Sequence, residues 1–189
     1  MYRAVTLKVL RSGISLNDER AIRAMMESTE VELKNPGGTL AVLLDHVEVS
    51  SEARTEEVTR AVSAVSRLKD VRTAMVREQR RAALHSDVVA EGRDIGTVVF
   101  PDADLKFYMI AGIEARARRR QAELASQGVT ARLQEIIDAI RERDLLDSTR
   151  SESPLRKAAD AIELDTSNLT IDQQVAVVVE TANERLKGR

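Results

Sequence analysis

The sequence has 189 residues, of which 43% are hydrophobic and 32% are charged, and its formal net charge at pH 7 is −2. This length fits one domain, or one core that carries a substructure. The small net charge excludes a polycationic field that would attract nucleic acid, and no apolar run reaches the roughly 18 residues of a membrane helix. The absence of cysteine excludes disulfides, thiolate nucleophiles and cysteine metal sites. We therefore expect a soluble, cytoplasmic protein.

The first 50 residues predict two helices and a small antiparallel sheet. The first ten residues are helix-like and apolar on most faces, so we expect them to be buried. A polar start at 15–18 precedes Ile22 and Met26, whose spacing predicts a second helix. Three short apolar runs with an Asn-Pro-Gly-Gly turn between the first two predict an antiparallel meander. These runs are 31–33, 40–44 and 47–49.

The rest of the chain alternates amphipathic helices with strand-like runs. Apolar residues recur with helical spacing in three stretches, 58–65, 133–140 and 171–186. Thr170 and Gln173 resemble a capping box for the last of these helices, and Gly188 suits its end. Three apolar runs between helices predict strands of a parallel α/β sheet. These runs are 88–90, 105–110 and 161–164.

Polar segments at 91–94 and 165–168 follow two of these runs, and ligands bind at the carboxyl ends of strands in such sheets. Arginine is the main candidate for chemistry, because its guanidinium group presents a rigid fork of donors and keeps its charge. Gly92 and Gly96 flank one such arginine and allow close backbone approach. Four arginines are predicted near the ends of elements: Arg3, Arg93, Arg143 and Arg150.

Some features allow more than one interpretation. The arginines at 116–120 lie in a helix and are compatible with RNA contact, although an aromatic content of 2% leaves few side chains to stack bases. The charged segment 141–150 is either a solvated helix end or a mobile arm that closes over an anion. His46 and His85 have no ligand spacing, so we interpret them as turn or surface residues and expect no structural metal.

One phosphate-binding motif is absent from the sequence. No G-x-x-x-x-G-K-[ST] occurs in the 189 residues, so we find no loop that would cradle a nucleoside triphosphate.

The string Gly-Arg-Asp-Ile-Gly-Thr-Val-Val-Phe-Pro-Asp-Ala at 92–103 resembles the bacterial cytidylate kinases. Four weaker matches lie in the same order as in that family and extend the resemblance over essentially the whole chain. They are Tyr-Arg-Ala-Val at 2–5, Arg-Thr-Glu-Glu-Val at 54–58, the arginine-rich stretch at 116–120, and 143–150 with Pro154-Leu155. The chain is identified as a member of this family by resemblance.

The resemblance implies an α/β fold, that of the P-loop nucleoside monophosphate kinases, with a parallel core sheet flanked by helices, a small antiparallel insert and a helical lid. The core would comprise 1–15, 87–128 and 156–189. The monophosphate-binding part would be 16–86 and the lid 129–155. By the same comparison the first strand, P-loop, first helix and second strand are missing, which we interpret as a misplaced start or a fragment.

The activity implied by the resemblance is transfer of the ATP γ-phosphoryl group, with Mg²⁺, to CMP or dCMP. Ser63, Arg72 and Asp94 would hold the cytosine ring, and Arg3, Arg93 and Arg150 would hold phosphate. Arg143 and Asp147 would meet the ribose or the transferring phosphoryl group. The alternatives are a packed Ser63, an Asp147 that only forms a lid ion pair, and a non-catalytic CMP-binding fragment. We expect a monomer with no nucleic-acid or membrane partner.

Overall fold

Seven α-helices and five β-strands make up the regular structure of the residues that the computed structural model describes, which are 1–35, 38–84, 87–149 and 155–187. The chain divides into two compact units, residues 1–91 and 92–189. Among the described residues, no helix is long and apolar enough to cross a membrane.

The first unit is built around a buried helix. Its helices are α1 (Tyr2–Arg11), α2 (Glu19–Met26), α3 (Glu56–Ser66) and α4 (Lys69–Ala82). Ala4, Val5 and Val9 of α1 are fully buried, and the buried hydroxyl of Thr6 donates to the Tyr2 carbonyl, 2.9 Å away. The predicted burial of the first ten residues is therefore confirmed for half of α1, that is, for five of its ten residues.

A three-stranded antiparallel meander follows α2, as the sequence predicts. It consists of β1 (Val31–Lys34), β2 (Ala41–Leu44) and β3 (Val47–Glu48), in the order β1-β2-β3. Asp45 and His46 connect β2 to β3 with φ values of 48° and 68°, which is the left-handed geometry of a tight hairpin turn. His46 is thus a turn residue, as predicted. Pro36 and Gly37 of the predicted turn, and His85, lie outside the described residues.

The core of the first unit joins α1, α3 and α4 to this meander. Val58, Val62 and Val65 bury one face of α3, as their spacing predicts. The sequence analysis did not predict α4, whose buried residues are Val71, Arg72 and Met75.

The second unit contains a parallel pair of strands and three helices. The strands are β4 (Phe107–Ile110) and β5 (Ile162–Asp165), and the helices are α5 (Ile113–Ser126), α6 (Leu133–Thr149) and α7 (Ile171–Lys187). Phe107 pairs with Ile162, and Ile110 pairs with Asp165. A π-helical turn at Ile95–Val99 precedes β4. The parallel pair with its helices confirms an α/β chain.

One predicted strand is wrong. Residues 87–91 have no regular structure, and Val89 is fully exposed. Within the described residues no strand pairs with this segment, and an apolar run becomes a strand only where a neighbouring strand accepts its backbone hydrogen bonds.

The last helix matches its predicted bounds but not the burial that its apolar stripe suggests. The capping box is confirmed, because the Thr170 amide donates to Gln173 Oε1 (2.9 Å) and the Gln173 amide donates to Thr170 Oγ1 (3.3 Å). None of the residues of α7 is buried, and Ile171 is 77% exposed. Gly188 lies outside the described residues.

A buried lysine just before β4 forms an ion pair with an aspartate just before β5. Lys106 Nζ lies 2.9 and 2.7 Å from the two carboxylate oxygens of Asp160, and it also donates to the Pro101 carbonyl. This hydrogen bond from Lys106 lowers the pKa of Asp160 below its ordinary value of 3.8. The charged pair therefore links three segments of the second unit.

The Lys106–Asp160 pair makes part of the stability of the chain depend on pH. Because the folded-state pKa of Asp160 is lowered, its contribution is fully present above pH 3.8 and is lost as the pH falls through the lowered pKa. We expect the difference in unfolding free energy between the wild type and Asp160→Asn, from urea titrations, to be larger at pH 7 than near pH 3. An equal difference at both pH values would contradict this assignment.

The buried and exposed apolar positions should respond differently to truncation. Ile22 is fully buried in the first unit, so Ile22→Ala should lower the free energy of unfolding by about 2–5 kcal/mol. Ile171→Ala is the matched control, since this isoleucine is mostly exposed and its loss should change stability by no more than about 0.5 kcal/mol. Chemical denaturation measures both. Similar losses for the two variants would show that the burial assignments are wrong.

Candidate functional site

Two arginines meet at one buried carboxylate in the second unit. Arg93 precedes the π-helical turn, and its Nε lies 3.1 Å from Oδ2 of Asp147 on α6. Arg143, one helical turn before Asp147, places its Nε 3.9 Å from the same oxygen. The side chain of Asp147 is only 12% exposed, whereas those of Arg93 and Arg143 are 41% and 48% exposed. The structure thus brings three of the predicted site residues together.

The chemistry of this cluster favours an anionic ligand. A buried carboxylate is costly unless it is paired, and here two permanent positive charges surround one negative charge. Both guanidinium groups lie beside Asp147 Oδ2, with Nε at 3.1 Å for Arg93 and at 3.9 Å for Arg143. Terminal guanidinium nitrogens make strong charge-assisted hydrogen bonds to phosphate oxygens.

The position of Arg143 corrects one prediction. The sequence analysis placed it near the end of a predicted element, but α6 continues to Thr149. The side chain of Arg143 therefore extends from the interior of α6. The hydrogen bonds of the helix fix the backbone of Arg143. Arg150 lies outside the described residues.

Asp94 opens the π-helical turn next to Arg93. It is buried, and its backbone carbonyl accepts a hydrogen bond from the Val98 amide at 2.8 Å. A Cβ on Gly92 would lie 2.9 Å from Cγ1 of Ile95, and a Cβ on Gly96 would lie 3.2 Å from Cδ of Lys106. The sequence analysis attributed these glycines to ligand approach, and the structure supplies a packing reason for both.

Ser63 and Arg72 lie near the junction of α3 and α4 in the first unit. Arg72 is buried, its Nη1 donates to the Ser66 carbonyl at 3.1 Å, and its guanidinium lies 5.5 Å from the centroid of the Tyr2 ring. Ser66 Oγ in turn donates to the Ser63 carbonyl at 3.4 Å. Ser63 itself is half-buried. The contacts with the Ser66 carbonyl and the Tyr2 ring hold the buried guanidinium group of Arg72 at the junction of the two helices.

Arg3 of α1 contacts both α3 and the segment that precedes it. Its Nη1 donates to Thr59 Oγ1 at 2.8 Å and to the Ala53 carbonyl at 3.3 Å. These contacts orient the guanidinium in the first turn of a buried helix.

The sequence analysis missed a second arginine–carboxylate pair. Arg116 of α5 binds Asp144 of α6 through both terminal nitrogens, at 3.0 and 2.7 Å. Asp144 precedes Asp147 by three residues, so both carboxylates belong to one face of α6. That spacing of acidic residues, opposite an arginine-rich helix, was the signal that could have found the pair.

Other arginines of α5, which the sequence analysis considered compatible with RNA contact, form contacts within the chain. Arg119 donates to Thr166 Oγ1 and to the carbonyls of Thr166 and Leu169, which fixes the loop after β5. Arg120 pairs with Glu123 at 2.7 Å. These arginines, like Arg116, therefore have partners within the chain.

The structure thus defines an α/β protein in which arginines and buried carboxylates form the candidate site. Comparison with known proteins extends this: the family model described as cytidylate kinase matches residues 1–184. The chain is 42% identical over 183 residues to the cytidylate kinase of Bacillus pumilus, which covers 97% of this chain and 81% of that protein. It is 43% identical to that of Clostridioides difficile over 97% of this chain and 83% of that protein. It is 44% identical to that of Lactobacillus gasseri over the whole chain and 82% of that protein.

A family match over nearly the whole chain, together with relatives above 40% identity, shows the family. This chain belongs to the cytidylate kinase family.

Proposed function

We propose that the chain binds CMP or dCMP and transfers to it the γ-phosphoryl group of ATP, giving CDP or dCDP. Membership of the cytidylate kinase family supports this proposal, since the relatives described above are named for that activity. The structural observation that carries it is the pairing of Arg93 and Arg143 with the buried Asp147. We also propose the fold of P-loop nucleoside monophosphate kinases, with the core, monophosphate-binding part and lid given above.

The proposed recognition of cytosine uses Ser63, Arg72 and Asp94. The ring has an exocyclic amine that donates hydrogen bonds and neighbouring atoms that accept them. A serine hydroxyl and an aspartate accept from the amine, while arginine donates to the ring acceptors. Uracil has a carbonyl in place of the amine and would face acceptor against acceptor, which a buried site rejects strongly.

The proposed recognition of phosphate uses Arg3, Arg93 and Arg150, with Arg143 and Asp147 at the ribose or the transferring phosphoryl group. Phosphoryl transfer needs alignment and positive charge on the equatorial oxygens more than covalent chemistry. Guanidinium groups suit this role because they are charged at every physiological pH.

Mg²⁺ enters this proposal with ATP, as part of the substrate. Within the described residues, one group of three metal-ligating side chains occurs, formed by Glu30, Glu32 and His46. None of these belongs to the proposed site, so we assign no protein ligand to the ion. We further propose that the chain acts in the cytoplasm as a monomer, without a nucleic-acid or membrane partner.

The second candidate function is CMP binding without transfer. It is favoured by the absence of G-x-x-x-x-G-K-[ST] from these 189 residues, because that loop holds the phosphates of ATP in P-loop enzymes. A coupled assay with ATP, Mg²⁺ and CMP separates the two candidates. CDP formation supports the kinase, whereas CMP-dependent stabilisation without CDP supports the binding protein.

Nucleotide selectivity is the first test of the proposed site. CMP at saturating concentration should raise the melting temperature of the chain, and UMP at the same concentration should raise it less, because uracil mispairs with the proposed acceptors. Differential scanning fluorimetry measures both shifts. A well-folded sample with no CMP shift, or with equal shifts for the two nucleotides, would refute the proposed recognition.

Removal of one guanidinium group is the second test. Arg93→Ala should weaken CMP binding roughly 10- to 100-fold, which corresponds to one charge-assisted hydrogen bond of about 1.5–3 kcal/mol. Arg132→Ala is the matched control, since the Arg132 side chain is 84% exposed and forms an ion pair with the nearby Glu135. Isothermal titration calorimetry gives both affinities. Equal CMP affinity for Arg93→Ala and Arg132→Ala would remove Arg93 from the site.

A further inference from the structure

Two carboxylates and one imidazole converge on the antiparallel meander of the first unit. Glu30 immediately precedes β1 and Glu32 lies within it, and residues at this spacing point to the same face of a strand. The turn between β2 and β3 brings His46 to them. Its Nε2 lies 3.4 Å from Oε2 of Glu30, and its Nδ1 lies 3.3 Å from Oε1 of Glu32. One ligand atom from each of the three residues lies within 4.8 Å of the other two.

The donor atoms are spaced as the ligands of a small divalent cation are. A tetrahedral Zn²⁺ ion with ligands at about 2.0–2.1 Å separates neighbouring donor atoms by about 3.4 Å. The distance of 3.3 Å between His46 Nδ1 and Glu32 Oε1 agrees with this value. Glu30 faces the other ring nitrogen, but its side chain is 64% exposed, so its carboxylate can reach the same ion by a change of rotamer.

The cations around this group leave its donors available. Lys34 Nζ lies 3.5 Å from Oε2 of Glu32, which is not the oxygen that faces His46. Lys8 pairs with Asp45 at 2.6 Å, outside the group of three. The hydrogen bond with His46, and then the charge of Lys34, lower the pKa of Glu32 below its ordinary value of 4.5. Glu32 is therefore ionised at neutral pH, which is the form of a carboxylate that binds a metal ion.

The backbone that carries the donors is fixed, and the group is open to solvent. The Glu30 amide donates to Asp45 Oδ1 at 2.9 Å, and the Asp45 amide donates to the Glu30 carbonyl at 2.9 Å. Fixing the backbone in advance reduces the entropy that binding would otherwise cost. Glu30, Asp45 and His46 also line a cavity of about 370 Å³, which has room for an ion and its water.

From this geometry we propose that Glu30, Glu32 and His46 bind one Zn²⁺ ion, with water as the fourth ligand. An imidazole with two carboxylates suits zinc, whereas Mg²⁺ prefers an octahedral set of oxygens. The sequence analysis expected no metal because the histidines have no ligand spacing, and only the pairing of β1 with β2 brings these ligands together. The inference goes beyond the proposed function and does not depend on it.

Calorimetric titration of the chelator-treated chain with ZnCl₂ tests the site. We expect one Zn²⁺ per chain and an affinity at least about 100-fold higher than for MgCl₂. His46→Asn and Glu32→Gln should each weaken Zn²⁺ binding at least about tenfold, since even the loss of an outer partner costs about that much. Asparagine is chosen because it tolerates the φ of 68° at this position. Absence of Zn²⁺ binding, equal affinity for Mg²⁺, or unchanged Zn²⁺ affinity in either variant would overturn the proposal.

Glu48→Gln is the matched control, because it removes the same charge from the same meander. Glu32 pairs with Leu43, and Leu43 pairs with Glu48, so the two glutamates lie on one face and two strands apart, at about 10 Å. We expect Glu48→Gln to bind Zn²⁺ within about twofold of the wild type. A loss as large as that of Glu32→Gln would show that only the general negative charge attracts the ion, and would overturn the proposal.

Nuclear magnetic resonance identifies the histidine that binds the ion. The chain has two histidines, His46 and His85. Zn²⁺ should shift the imidazole signals of one histidine, and His46→Asn should remove the shifted signals. A shift of the His85 signals alone would overturn the proposal. Melting temperatures without metal establish that the variants are folded, and Glu30→Gln replaces any variant that is not. Zn²⁺ at about 100 times its dissociation constant should raise the melting temperature of the wild type only.

Discussion

The candidate site depends on the pairing of a buried carboxylate with guanidinium groups. Asp147 is largely removed from solvent and lies beside Arg93 and Arg143. A carboxylate in that position without cationic neighbours would be strongly unfavourable, and removing one partner of a buried pair costs more than the pair gains. The arginines and the aspartate therefore constrain one another, and each contributes to the geometry of the others. A second pair, Arg116 with Asp144, joins α5 to α6 close to the apolar contacts of Ala117 and Ile137.

The two units use different means to hold their functional residues. In the first unit, α1 is buried among apolar side chains, and Arg3 and Arg72 extend from a well-packed core. In the second unit, the buried apolar cluster between α5 and α6 is small, and ion pairs link the segments around it. Lys106 with Asp160 and Arg119 with the loop after β5 are examples. Of the residues proposed to bind the cytosine ring, Ser63 and Arg72 thus lie on the packed helices of the first unit. The arginine–carboxylate cluster lies in the second unit, where ion pairs link the segments.

How much of this could be predicted from the sequence depends on the range of the interactions. The meander, the capping box of Thr170 and Gln173, and the buried face of α3 follow from local patterns and were predicted. α4 was missed because its sequence is dominated by charged residues, and only tertiary contacts reveal that Val71 and Met75 are buried. The strand at 88–90 was wrong because strand formation requires a neighbouring strand that local sequence does not specify. Arg93 and Asp147 could be named as site residues by resemblance, but their mutual contact depends on the folded chain and could not be predicted.

The exposed surface of α7 has a consequence for local dynamics. None of its side chains is buried, although it is one of the two longest helices among the described residues. Little tertiary packing therefore opposes its unwinding, and its backbone amides are protected from deuterium mainly by the hydrogen bonds of the helix itself. In α1, by contrast, the amides of the buried residues from Val5 to Val9 can exchange only when the core of the first unit opens. Amide protons of α7 should accordingly exchange with solvent early, at the low end of the opening free energies in this chain, while those of α1 persist.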